Sequence, residues 1–134
     1  LVRLGFDADA PVGSSGVIQN RLKILTPKDL LIAISFGRGL RETIEAAKSA
    51  RRRNIPSFGI TNGDATPIAK YCASYLVASI SRPSFIDSYV APIGAINAIL
   101  VACAHSQSER SLEHLRQFEE EYASGARWFA EDAE

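Results

Sequence analysis

The chain has 134 residues, 46% apolar and 22% charged, with 15 Lys and Arg against 15 Asp and Glu. That is the size of one domain with a real core, and it excludes a disordered chain, a rod and an overall basic nucleic-acid binder. Cys72 and Cys103 lie far apart inside apolar segments. They read as reduced, buried thiols, with no disulfide frame and, with His105 and His114 unclustered, no metal site. Residues 1–5 carry no signal-peptide core. The longest apolar tract, residues 90–104, is broken by Pro92, Gly94 and Asn97 and falls short of the roughly 20 residues a membrane span needs. A cytoplasmic protein without membrane contact is therefore expected. There is no methionine, and Leu1 starts in what reads as structure, so the chain reads as a segment of a longer protein.

Ser14, Ser15 and Gly16 precede apolar residues at Ile18, Leu22 and Leu25, the spacing of a capped helix, which Thr26-Pro27 stops. Residues 30–34, Leu-Leu-Ile-Ala-Ile, form a continuous apolar run suited to a strand covered on both faces. Gly37 and Gly39 mark a turn. A helix follows with Leu40, Ile44 and Ala47 inward and Arg51, Arg52 and Arg53 in its last turn, where cations suit the helix dipole. Residues 55–61 predict the next strand, and Asn62-Gly63-Asp64 a turn. Thr66-Pro67 caps and starts a short helix bearing Ile68, Ala69 and Cys72. Residues 75–80 predict a third strand, and Ser81-Arg82-Pro83 a loop. From about residue 84 to about 105 a long helix is expected, apolar on nearly every side through Ile93, Ile96, Ile99 and Leu100. Such a helix is central or lies in a subunit interface. The last helix, residues 109–124, is amphipathic through Leu112, Leu115, Phe118 and Tyr122, with Gly125 at its end. This alternation predicts a parallel sheet with helices on both faces.

Ligands of such sheets bind beyond the carboxyl ends of the strands. The rule selects Ser35, Phe36, Gly37, Arg38 and Gly39 after the first strand, and Thr61, Asn62 and Asp64 after the second. The first loop runs into a helix N-terminus, where glycines let the backbone approach an anion and free N–H groups favour negative charge. Arg38 adds a forked cation suited to phosphate, and Ser35 and Thr61 add hydroxyls. The plainer roles are also open: Ser35 as a helix cap, Thr61 as a strand end, Arg38 as a solvated arginine, and Asp87 and Ser88 as cap residues. The three consecutive arginines read as a charged helix end.

At these residues the chain resembles a known family. The run Asp29-Leu30-Leu31-Ile32-Ala33-Ile34-Ser35-Phe36, then residues 42–50, then Gly59-Ile60-Thr61 and Pro67-Ile68-Ala69 are similar to a sugar isomerase (SIS) domain. Residues 36–43 and 85–92 resemble the C-terminal effector-sensing domain of bacterial RpiR/MurR-type transcription regulators. The resemblance spans nearly the whole chain and implies an α/β fold, a flavodoxin-like three-layer α-β-α sandwich around a five-stranded parallel sheet. Its first strand and helix would lie before Leu1. Residues 1–5 would then end that helix, and residues 6–12 would form the second strand, beside an internal slot left by the first. The 134 residues would be a single, N-terminally incomplete domain, with DNA reached only through a domain outside them.

The function implied is a phosphosugar-sensing and dimerisation domain, a homodimer or tetramer, that binds a sugar phosphate or related anionic metabolite with no cofactor, no metal and no catalytic residue. SIS domains commonly carry a Ser-x-Ser-Gly-x-Thr loop here. Ser35 matches its first serine, but Gly37, Arg38 and Leu40 replace the second serine, the glycine and the threonine. Two hydroxyl donors are thus missing, and Arg38 with the backbone amides is expected to compensate. An aldose–ketose phosphosugar isomerase is the alternative. It needs a general base, and Asp87 is the acid near the start of the long helix, with His105 at the far end. The second alternative is an oligomerisation module without ligand.

Overall fold

The apolar runs become strands. In the computed structural model, which describes residues 1–11, 15–81 and 85–125, β1 is Leu31–Ile34, β2 is Ser57–Thr61 and β3 is Ser74–Val77. All pair parallel in the order β1-β2-β3, with Ala33 opposite Gly59 and Gly59 opposite Tyr75. The strand predicted at residues 55–61 starts two residues late because Pro56 has no N–H to give a ladder, although its carbonyl accepts from Leu31 N at 2.9 Å. The helices are α1 (Ser15–Ile24), α2 (Arg41–Arg52), α3 (Pro67–Tyr71), α4 (Val90–Ser106) and α5 (Ser108–Ala123). A parallel sheet flanked by helices is the expected α/β class.

Close approach defines the core. Ala33 of β1, Ala47 of α2, Ile68 of α3 and Cys72 pack as one buried cluster, with Ile44 and Tyr71 against it. A Cβ on Gly59 would lie 2.6 Å from Ile68 Cγ2 and 3.2 Å from Cys72 Sγ, so α3 can sit this near β2 only over a glycine. On α2 the buried face is Ala46, Ala47 and Ala50. Leu40, expected on that face, is instead the N-cap, extended at φ −77° and 71% exposed. The helix starts one residue later, so the inward row begins further on.

The arginines at the end of α2 have a structural task. Arg53 donates to the carbonyls of Leu22 (2.6 Å), Lys23 (3.2 Å) and Leu25 (2.5 Å), and Arg51 donates to Lys70 O at 2.5 Å. The carbonyls at the C-terminal ends of α1 and α3, which lack intrahelical donors, are satisfied this way.

Three expectations fail in outline. The long helix starts at Val90, not near residue 84, which lies outside the described residues, as do Ser14, Arg82 and Pro83. Ser88 Oγ accepts from Val90 N at 3.5 Å, and Pro92 falls in the first turn, where its missing N–H leaves no gap. The strand expected over residues 6–12 is absent from residues 6–11, and Val12 lies outside the described residues. Asp7, Asp9 and Pro11 are all poor ladder residues. The expected helix end at residues 1–5 is a short 3-10 turn, Val2–Leu4.

Contacts group the described residues into two compact units, one within Ala10–Ala95 and one within Leu1–Asp9 with Ile96–Glu134. The first holds the sheet and its core. In the second, α5 carries the 3-10 turn: Arg110 donates to Gly5 O at 2.6 Å, Ser111 Oγ to Leu4 O at 3.4 Å, and the Arg3 guanidinium stands 3.7 Å from the Phe118 ring centre. Pro92 alone of α4 is buried, while Val90, Ile93 and Val101 are exposed. Among the described residues no single helix is long and apolar enough to cross a membrane.

Candidate functional site

The loop leaving β1 is shaped by two glycines. Gly37 (φ +63°) and Gly39 (φ +65°) both lie in the left-handed region that side chains with a Cβ avoid. The turn they form closes with Gly39 N donating to Phe36 O at 3.4 Å. Ser35 continues the sheet, its N–H donating to Ile60 O at 3.0 Å, and its Oγ would lie 3.0 Å from a Cβ on Gly39. The hydroxyl therefore lies against the loop just before α2. Leu40 offers no side-chain cap to that helix, so the N–H groups of its first turn have neither an intrahelical acceptor nor a capping oxygen from it. They carry the positive end of the helix dipole.

Asn62, after β2, holds this loop in place. Its Oδ1 accepts from Gly37 N at 2.9 Å. A cleft of about 330 Å³ opens above the loop, lined by Ile34, Ser35, Phe36, Arg38, Gly39, Leu40, Thr43 and Tyr89. Tyr89 meets Phe36 edge-to-face, ring centres 5.8 Å apart at 87°. The lining thus combines an aromatic pair and apolar side chains with the hydroxyls of Ser35 and Thr43 and a guanidinium beside a helix start. That is a polar anchor for an anion next to a surface for the body of a small molecule.

Of the residues singled out from sequence, Ser35, Phe36, Arg38 and Gly39 line the cleft, and Gly37 and Asn62 shape it. Thr61 is elsewhere. It is 1% exposed, and its Oγ1 bonds Thr66 Oγ1 at 2.9 Å, on the α3 side of the sheet. Asp64 is also outside the lining. Its Oδ1 accepts from the Tyr75 hydroxyl at 3.2 Å, and this bond to a carboxylate pushes the Tyr75 pKa up. Sequence reasoning missed Thr43 and Tyr89. Thr43 lies three residues past Leu40 and so shares its side of the helix start. It returns a hydroxyl to the place where the family pattern loses its threonine. Asp87 does not line the cleft. Among the described residues no three His, Cys, Asp or Glu side chains gather to hold a metal ion.

Residues 10–102 match the SIS domain family. Among solved structures, the chain is similar to the sugar isomerase domain of an RpiR transcription factor from Sphaerobacter thermophilus, with 30% identity and a TM-score of 0.77, over 89% of this chain and 66% of that one. It is also similar to the Vibrio vulnificus NanR protein, solved in complex with ManNAc-6P, with 22% identity and a TM-score of 0.73, over 89% of this chain and 46% of that one. The chain therefore spans just under two-thirds of the first and less than half of the second. No curated protein matches it.

Proposed function

The chain belongs to the SIS domain family, and from that premise we propose that it is the effector-sensing domain of an RpiR-type bacterial transcription regulator. It binds a phosphorylated sugar or related anionic metabolite in the cleft after β1 and does no chemistry on it. The observation that carries this reading is the convergence, in one cleft, of Ser35, Thr43 and Arg38 on the uncapped start of α2. Backbone N–H groups and a guanidinium there suit a dianionic phosphate, and the Phe36–Tyr89 wall suits the sugar body. The described residues that line the cleft include no carboxylate and no imidazole, which fits recognition rather than proton transfer. The apolar, exposed α4 serves dimerisation, and DNA is reached through a domain outside these residues. The whole regulator works in the cytoplasm.

Isothermal titration against a panel of sugar phosphates and their dephosphorylated partners tests this reading. At least one phosphosugar is expected to bind and its free sugar not to. Arg38→Ala should weaken binding by about tenfold or more, the equivalent of one charge-assisted hydrogen bond. Failure of every phosphosugar to bind would overturn the proposal.

A further inference from the structure

Formal charge is zero over the chain but not over its parts. Ala10–Ala95 holds 11 Lys and Arg against 5 Asp and Glu, whereas Leu1–Asp9 with Ile96–Glu134 holds 4 against 10. Each surplus includes a row of charges along one helix. On α2, Arg41, Glu45, Lys48 and Arg52 follow at intervals of four, three and four residues and so fall on one stripe, about 16 Å long at 1.5 Å per residue. Lys48 bonds Glu45 at 2.7 Å. That hydrogen bond, with Arg52 and Arg41 nearby, holds the Glu45 carboxyl below its usual range. On α5, Glu109, Glu113, Arg116 and Glu120 follow at the same intervals, and all four are exposed.

The two rows are complementary when read in opposite directions. From its N-terminal end the α2 row runs plus, minus, plus, plus; from its C-terminal end the α5 row runs minus, plus, minus, minus. We propose that α5 of one copy docks antiparallel along α2 of a second copy, Arg41 against Glu120, Glu45 against Arg116, Lys48 against Glu113 and Arg52 against Glu109. A generic polyanion would favour an unbroken positive row. Here Glu45 interrupts the α2 row at the place where Arg116 interrupts the α5 row, and that points to a second copy as the occupant. Apolar surface borders both rows. Ile44 lines a groove of about 570 Å³ with Gly39, Arg41, Glu45 and Lys48, and Leu112 and Leu115 stand exposed beside the α5 row. Each copy carries both rows, so either copy can supply either row to its neighbour. This contact is separate from the apolar α4 pairing, and salt distinguishes them, because screening weakens exposed charge pairs and leaves apolar burial intact.

A charge swap read by sedimentation velocity over a concentration series tests the contact. Between about 50 mM and about 500 mM NaCl, where the screening length shrinks severalfold, self-association should weaken about tenfold or more. Lys48→Glu alone and Glu113→Lys alone should each lose this salt-sensitive step, since each sets like charges opposite one another. Mixed one to one, they should recover it, because both mixed contacts are again of opposite sign. Arg52→Glu with Glu109→Lys repeats the swap at a second pair, and circular dichroism checks that all four variants fold. Wild-type association by either single variant, no recovery in the mixture, or association insensitive to salt would each overturn the proposal.

Discussion

The α3 side of the sheet and the long helix α4 are both apolar, yet they use that property in opposite ways. On that side of the sheet the residues are small or tightly matched: Gly59 of β2 under Ile68 of α3, Ala33 of β1 clustered with Ala47 of α2, and Ile68 only 1% exposed. Along α4 large aliphatic residues are interspersed with small ones, and Ile93 stands 58% exposed. The first pattern seals an interior within one chain. The second has the hydrophobicity of a core helix, yet part of its apolar surface, at Val90, Ile93 and Val101, stands exposed. Hydrophobicity alone does not separate these roles; the fit between neighbours does.

The sharpest way to break the comparison is to truncate one isoleucine in each region. Ile68→Ala should cost about 2–5 kcal/mol in urea unfolding, while Ile93→Ala should cost about 0.5 kcal/mol or less. Equal losses would mean that α4 is as tightly packed as the core. Adding a methyl group asks the converse question. Gly59→Ala should destabilise by about 1–3 kcal/mol, since the new Cβ meets Ile68 and Cys72, whereas Gly94→Ala, with nothing within 4 Å, should gain about 0.5–1 kcal/mol of helix propensity. The smallest effect is chemical. Burial pushes the Cys72 thiol pKa up, against a smaller opposing pull from the Ser57 hydrogen bond, so less reactive thiolate forms near neutral pH. Half-buried Cys103 should react with iodoacetamide about tenfold faster than Cys72 in native protein, as mass spectrometry of the labelled peptides would show.

Much of the sheet was legible because continuous apolar runs mark buried parallel strands, and Leu31–Ile34 and Ser57–Thr61 fall inside the predicted windows. The strand expected at residues 6–12 came from family resemblance, and the local chemistry of Asp7, Asp9 and Pro11 argued the other way. Leu40 was misplaced because periodicity tells which residues share a face but not which residue is the cap. For α4, the pattern showed an apolar helix and was silent on what would cover it.

The site divides similarly. Ser35, Gly37 and Arg38 were visible because they sit where a strand end meets a helix start. Thr43 falls outside the motif residue for residue, because its hydroxyl lies three positions further along, on the helix. Tyr89 comes from a segment far away in sequence, which no local pattern reveals. The position of Thr61 in its strand already points away from the cleft. It is two residues past Gly59 and so shares its side of the strand, the side of α3, where Thr66 takes its hydroxyl.

The bond from Gly37 N to Asn62 Oδ1 bears on how this pocket could be rebuilt. The loop after β1 is not an interchangeable cassette, because part of its shape is held from the loop after β2. Grafting a hydroxyl-rich Ser-x-Ser-Gly-x-Thr segment onto residues 35–40 would import new donors, and it must still present an N–H to Asn62 at the position of Gly37. A serine there would have to adopt φ +63° or give up that bond. Changes in ligand preference at this site are therefore expected to come as paired substitutions across the two loops.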